Sequence, residues 1–138
     1  MSFALNGDKP SRAPRVLIIE DDTLSAETLE TLLELDGYDV RTAFNGADGL
    51  AVASQFDPDV VLLDLQLPVV NGVEVALHLR ANAQEDGLVI IGTTGYPDSY
   101  PTTRGAFNRR FVKPIHIDSL LACLREACDA RLGLGTPA

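Results

Sequence analysis

Short apolar runs that each end at a polar or charged residue constrain the fold of this chain most strongly. The clearest run, residues 60–63, ends in Asp64 and is followed by Pro68 and the turn pair Asn71–Gly72. A continuous apolar run bounded by turn residues is typical of a strand that is buried on both faces, as in a parallel sheet under helices. Asp64 is therefore predicted to lie where a buried strand leaves the core.

The same design recurs three more times along the chain. Residues 16–19 run into Glu20 and Asp21, residues 88–92 run into Thr93 and Thr94, and residues 111–112 run into Lys113 and Pro114. If these strands are parallel, their carboxyl ends share one edge of the sheet, where open α/β sheets bind ligands. The pattern predicts that carboxylates, a hydroxyl and an ammonium group meet at that edge.

Helical segments alternate with the predicted strands. The strands are expected at 15–20, 38–43, up to Asp64, up to Thr94 and at 109–112, and the helices at 23–36, 46–55, 72–83 and 118–131, the last with Asp118 as its N-cap. In the first helix, leucines 24, 29, 32, 33 and 35 are expected to face the core. The segment 96–105 contains two prolines and a glycine, so it predicts a fourth helix that is short or irregular, near 102–107.

This alternation predicts a single α/β domain. Five βα units with right-handed crossovers give a three-layer sandwich around a five-stranded parallel sheet, and pairing the first strand with the third gives the order 2-1-3-4-5. Residues 1–14 mix polar residues, glycine and prolines without a period and are expected to form a flexible leader, with the domain at 15–131 and a tail at 132–138.

Composition narrows the class of partner. The net charge of -9 over 138 residues argues against binding a nucleic-acid backbone and favours basic partners or cations.

Cys123 and Cys128 match neither a CxxC pair nor a zinc site, so both are expected to be reduced and to pack in the core. The sequence contains no apolar run of membrane-spanning length and no basic, apolar signal segment at its start, which predicts a cytoplasmic protein without a membrane partner.

The predicted edge cluster suggests a definite chemistry. Glu20, Asp21 and Asp64 would repel one another unless a cation lies between them, and Mg²⁺, or alternatively Mn²⁺, suits oxygen ligands of this kind. A carboxylate beside such an ion can attack phosphorus and form an aspartyl phosphate. Lys113 and the Thr94 hydroxyl can stabilise the charge that develops on the transferred group.

Taken together, these motifs resemble the receiver domain of two-component response regulators. The matching residues are Glu20-Asp21, Asp64 within the run 60–68, Asn71-Gly72, Thr94-Gly95-Tyr96 and Phe-Val-Lys-Pro at 111–114. The resemblance covers roughly Arg15 to Arg131.

The resemblance implies a role for each residue of the predicted site. Asp64 is expected to accept a phosphoryl group from a histidine kinase or a histidine phosphotransfer protein, and the signal is expected to pass to a downstream protein by contact. Glu20 and Asp21 are expected to bind the metal with the Gln66 carbonyl as a further ligand. Lys113 is expected to pair with the phosphoryl group and Thr94 to sense it, and the Lys113–Pro114 peptide bond is expected to be cis. A domain of this kind is a phosphoacceptor and not an enzyme with a separate substrate.

One departure from the family pattern concerns the output of the signal. The family usually has an aromatic residue three positions before the lysine, and this chain has Arg110 there. We hypothesise that Arg110, or the segment that begins at Tyr96, responds to the charge of about −1.5 to −2 that phosphorylation adds.

Other functions remain to be weighed against a phosphoacceptor. A pseudo-receiver, which is a binding module of the same fold that is never phosphorylated, is compatible with Arg110 and the unusual segment 96–105. A phosphatase of the haloacid-dehalogenase type would need a second aspartate where this chain has Gln66. A nucleotide-binding protein is disfavoured because no glycine-rich phosphate loop follows the first strand.

Overall fold

A five-stranded parallel sheet forms the centre of the computed structural model, which describes residues 12–82, 87–96 and 106–131. The elements are β1 (Arg15–Ile19), α1 (Thr23–Leu35), β2 (Asp39–Ala43), α2 (Gly46–Phe56), β3 (Val60–Asp64), α3 (Gly72–Asn82), β4 (Val89–Thr94), β5 (Arg109–Val112) and α4 (Ile117–Arg131). The strand order is β2-β1-β3-β4-β5, and every neighbouring pair is parallel. The predicted α/β fold and strand order are confirmed.

Both faces of the sheet are buried under helices, because the inner strands carry apolar residues at consecutive positions. In β1, Val16 and Ile18 join a core cluster with residues of α1 and α4, while Leu17 and Ile19 join a second cluster with residues of α2 and α3. All five residues of β3 are buried. The central strand therefore delivers Asp64 directly from the core to the carboxyl edge of the sheet.

Helix α1 buries a different set of residues from the one that its leucines suggested. Ala26 and Leu33 are buried, whereas Leu24 is 72% exposed and Leu35 is 81% exposed. Ala26 and Leu33 lie seven residues apart and share one helix face, and each exposed leucine lies two residues, about 200°, away from one of them. Leu32 is also exposed, at 38%. The prediction that Leu24, Leu32 and Leu35 face the core was wrong because it followed residue type instead of helical geometry.

The last helix begins one residue earlier than predicted. Ile117 is its first residue, and the backbone N–H of Ser119 donates to His116 Nδ1 at 3.4 Å. Asp118 therefore lies inside the first turn, where an acidic side chain interacts favourably with the helix dipole, and the assignment of Asp118 as the N-cap was wrong. The predicted short helix near 102–107 lies outside the described residues except for Ala106 and Phe107, and Ala106 is in a turn.

Residues that precede β1 are bound to the amino edge of the sheet. Arg12 donates to both carboxylate oxygens of Asp59 at 2.9 and 3.2 Å, and the Arg15 N–H donates to Asp59 Oδ2 at 2.9 Å. The Pro14 carbonyl accepts from the Asp39 N–H at 2.9 Å.

Within the described ranges, no helix has the length and apolar character needed to cross a membrane.

Candidate functional site

Three acidic side chains meet at the carboxyl edge of the sheet. Glu20 and Asp21 follow β1, Asp64 ends β3, and these strands are neighbours, so one carboxylate oxygen from each residue lies within 4.8 Å of the others. Glu20 and Asp64 are 5% and 4% exposed, and Asp21 is exposed. The predicted cluster is confirmed, and its oxygen donors suit a hard divalent cation such as Mg²⁺, which would also relieve the repulsion among three carboxylates.

Lys113 reaches this cluster from the end of β5. Its ammonium group donates to Glu20 Oε1 at 2.8 Å and lies 3.5 Å from Asp64 Oδ2. The Lys113–Pro114 peptide bond is cis, as the resemblance implied. Sequence reasoning assigned Lys113 to the phosphoryl site beside Asp64 but did not anticipate that Glu20 is its nearer partner.

Burial and charge shift the acid–base behaviour of this pair. Burial raises the pKa of Glu20, and the hydrogen bonds from Lys113 and from the Asp22 backbone oppose that shift without cancelling it. Burial lowers the pKa of Lys113, but the hydrogen bond to Glu20 and the charge of Asp64 outweigh it, so the pKa of Lys113 is raised overall. Lys113 is therefore held as a cation beside the carboxylates.

Backbone donors orient both buried carboxylates. The Asp22 N–H donates to Glu20 Oε2 at 3.1 Å, and the Gln66 N–H donates to Asp64 Oδ1 at 2.9 Å. The Asp22 side chain accepts from the Ser25 N–H at 3.3 Å and caps α1. Asp64 Oδ1 is thus bound to the chain, while Oδ2 is directed towards Lys113.

The turn after Asp64 is tightly packed. The Val70 N–H donates to the Pro68 carbonyl at 2.8 Å, which gives a three-residue turn with Val69 at φ 68°. Positive φ in a β-branched residue is a genuine outlier. A Cβ added at Gly72 would lie 2.5 Å from the Asp64 carbonyl oxygen, so only glycine allows α3 to begin this close to the strand end.

Thr94 is fully buried at the end of β4, and its hydroxyl group contacts Gln66. Thr94 Oγ1 lies 3.0 Å from Gln66 Oε1, which also accepts from the Gly95 N–H at 3.1 Å. The Tyr96 N–H donates to Thr94 Oγ1 at 3.0 Å. The prediction for Gln66 concerned its backbone carbonyl as a metal ligand, which stays a prediction, and it missed this side-chain contact.

The two remaining switch candidates, Tyr96 and Arg110, are not members of the acidic cluster. Tyr96 is 64% exposed and follows β4. Arg110 is exposed and stands opposite Gly92 on β4, so strand alternation places it on the same sheet face as Thr94. Segment 97–105, the rest of the candidate response segment, lies outside the described residues.

Cys123 and Cys128 are buried and form no disulfide, which confirms them as packing residues.

Comparison with known proteins gives curated relatives and solved structures. The chain is 34% identical over 109 residues to the cell cycle transcriptional regulator CtrA of Caulobacter vibrioides, covering 78% of this chain and 47% of CtrA. It is 33% identical over 115 residues to the DNA-binding dual master transcriptional regulator RpaA of Synechocystis, covering 81% of this chain and 48% of RpaA. The chain thus spans about half the length of these curated relatives.

Among solved structures, a CheY-like receiver domain from Methylobacillus flagellatus superposes with a TM-score of 0.77 at 30% identity, covering 83% of this chain and 98% of that chain. The response regulator TrrA of Thermotoga maritima, solved in complex with Mg²⁺ and BeF, superposes with a TM-score of 0.75 at 28% identity, with the same two coverages. The family described as the response regulator receiver domain matches residues 16–125. With its strand order, acidic cluster and lysine in the expected places, the chain belongs to the response regulator receiver domain family.

Proposed function

We propose that this receiver domain accepts a phosphoryl group on Asp64 from a histidine kinase or a histidine phosphotransfer protein, in a reaction that depends on Mg²⁺. The observation that carries the proposal is the arrangement around Asp64. Its carboxylate is buried, oxygens of Glu20 and Asp21 lie within 4.8 Å, and the Lys113 ammonium lies 3.5 Å from Oδ2.

Each residue has a definite task in this reaction. A carboxylate oxygen of Asp64 attacks the phosphorus of a phosphohistidine, the new O–P bond forms, and the P–N bond breaks with its electron pair left on the imidazole nitrogen. Lys113 compensates negative charge on the phosphoryl oxygens, and the Thr94 hydroxyl group can donate to one of them. A Mg²⁺ ion bound by Glu20, Asp21 and Asp64 would neutralise the carboxylates and attract the phosphoryl oxygens.

The phosphorylated domain would itself act as the signal. An enzyme with a separate substrate would instead release its product. Phosphorylation adds a charge of about −1.5 to −2 at the carboxyl edge, and the proposed output is a changed contact with a downstream protein. The net charge of -9 disfavours contact of this domain with a nucleic-acid backbone. RpaA is named as DNA-binding and CtrA as a transcriptional regulator, and this chain matches only about half of each, so the absence of nucleic-acid contact stays a prediction.

The test is the intact mass of the protein after incubation with acetyl phosphate, with and without Mg²⁺. We expect one phosphoryl adduct that requires both Mg²⁺ and Asp64, so that Asp64→Asn gives none. Asp118→Asn, at an exposed aspartate of α4, is the matched control and should give the wild-type adduct. No adduct on a folded wild-type chain would instead favour a pseudo-receiver.

A further inference from the structure

Gln66 contacts both the phosphoacceptor and the buried threonine. Its backbone N–H donates to Asp64 Oδ1 at 2.9 Å. Its side-chain oxygen, Oε1, accepts from Thr94 Oγ1 at 3.0 Å and from the Gly95 N–H at 3.1 Å. One side chain from the turn after β3 therefore binds the end of β4 through two hydrogen bonds.

The Thr94 hydroxyl group has only one proton to donate. Its oxygen already accepts from the Tyr96 N–H, and within the described part of the chain its proton can reach Gln66 Oε1 at 3.0 Å and the Tyr96 carbonyl at 3.3 Å. Thr94 is fully buried, so solvent offers no alternative partner. A Thr94 hydroxyl that donates to a phosphoryl oxygen on Asp64 must therefore stop donating to Gln66.

We propose that Gln66 is a positioning residue that holds Thr94 and Gly95 in the arrangement of the unphosphorylated protein. We call these two hydrogen bonds to Gln66 Oε1 the Gln66 latch, and the inference rests on the proposed function of Asp64. The Gln66 side chain is exposed, so water can solvate its amide group once the latch opens. The latch sets how readily Thr94 changes partner, and it does so without loss of the backbone bond from Gln66 to Asp64.

The test measures the affinity of the full chain for beryllofluoride, a phosphoryl mimic, in the presence of Mg²⁺. Gln66→Leu removes the side-chain acceptor and keeps the backbone N–H, so it should raise the affinity about 2- to 10-fold, the range that one ordinary hydrogen bond supplies. In the absence of beryllofluoride, the Gly95 amide NMR signal of Gln66→Leu should move part of the way towards its beryllofluoride-bound position. A purely structural role of Gln66 would not produce that direction of shift.

A double-mutant cycle with Thr94→Ala separates the latch from a direct effect of Gln66 on the ligand. If Gln66 acts through Thr94, Gln66→Leu should change the affinity much less in the Thr94→Ala background. Gln55→Leu, at an exposed glutamine near the opposite edge of the sheet, is the matched control and should bind as the wild type does.

The outcomes separate the latch from the function on which it rests. Wild-type affinity in Gln66→Leu, or an equal gain in the Thr94→Ala background, would overturn the latch and leave the proposed function intact. Failure of the folded wild-type chain to bind beryllofluoride with Mg²⁺ would overturn the proposed function and the latch together.

Discussion

Two buried aspartates stand at opposite ends of the central strand and are treated differently by their surroundings. Asp59 precedes β3 and is 1% exposed, and Asp64 ends β3 and is 4% exposed. Asp59 accepts two hydrogen bonds from the Arg12 guanidinium and one from the Arg15 N–H. Asp64 accepts a hydrogen bond from the Gln66 N–H, and the Lys113 ammonium lies 3.5 Å from Asp64 and closer to Glu20.

The difference between these two aspartates lies in how their charge is compensated, and not in how deeply they are buried. A buried charge is stable when a counter-charge and hydrogen bonds satisfy it, as they do for Asp59. Asp64 shares one cation with Glu20 and lies close to the carboxylates of Glu20 and Asp21. The carboxyl edge therefore has an excess of negative charge, which a divalent cation would compensate.

The largest expected contrast is in stability. Asp59→Ala should lower the free energy of unfolding by about 3 kcal/mol, because it removes the buried partner of Arg12 and of the Arg15 N–H. Asp64→Ala should leave it within about 1 kcal/mol of the wild-type value, since the lost contact with Lys113 is offset by weaker repulsion from Glu20. Urea unfolding of the two variants measures both values, and similar losses in the two would contradict the contrast.

Binding of Mg²⁺ at the carboxyl edge should stabilise the folded protein, and the gain should depend on residues of that edge. At a Mg²⁺ concentration of about 100 times its Kd, mass action should raise the free energy of unfolding by about 2.7 kcal/mol. Asp21→Asn removes a charged ligand and should abolish most of this increment, while the exposed-site variant Asp118→Asn should retain it. Thermal unfolding with and without Mg²⁺ reports the increment, and a full increment in Asp21→Asn would show that the ion binds elsewhere.

The amino edge should instead determine the response to alkaline pH. Burial, followed by the charge of Asp59, raises the pKa of Cys128 to about 12 from its ordinary value of 9.0. The folded protein keeps this proton longer than the unfolded chain does, so stability present below pH 9.0 should be lost as the pH rises towards 12. The steepest loss from one such group is about 1.4 kcal/mol per pH unit.

Cys128→Ala tests this assignment. It should lower stability at neutral pH by leaving a small cavity, but it should flatten the alkaline slope between pH 9.0 and 10. Burial also raises the pKa of Tyr38, to about 12 from its ordinary value of 10.0, so Tyr38→Phe should flatten the slope only at higher pH. If Cys128→Ala leaves the alkaline pH dependence of stability unchanged, the Cys128 thiol is not its cause.

The smallest expected effect concerns strain in the turn that follows Asp64. Val69 is fully exposed and has φ 68°, so its side chain gains no packing that offsets a conformation unfavourable for valine. Val69→Asn should raise the free energy of unfolding by about 1 kcal/mol, because asparagine tolerates positive φ. Val69→Ala keeps most of the conformational cost of positive φ, so it should raise the free energy of unfolding by less. Equal increases in the two variants would assign the effect to the loss of the β-branch.

The sequence alone was sufficient to predict the fold and the members of the site. Short apolar runs without alternation are typical of strands in a sheet covered on both faces, and strands that alternate with helices favour a parallel sheet. The carboxyl ends of parallel strands share an edge, so Glu20, Asp21, Asp64 and Lys113 had to come together wherever the loops ran. These inferences depend on local pattern and on chain connectivity, which a sequence contains directly.

Only the tertiary structure decided which polar side chains are hydrogen-bond or ion-pair partners. The pairing of Lys113 with Glu20, the contact of Gln66 with Thr94 and the binding of Arg12 to Asp59 each join residues that lie 28 or more positions apart. For Lys113, the nearer partner is decided by less than 1 Å, at 2.8 Å from Glu20 against 3.5 Å from Asp64. Residue spacing does not encode such distances, because packing of the whole sheet and its helices sets them.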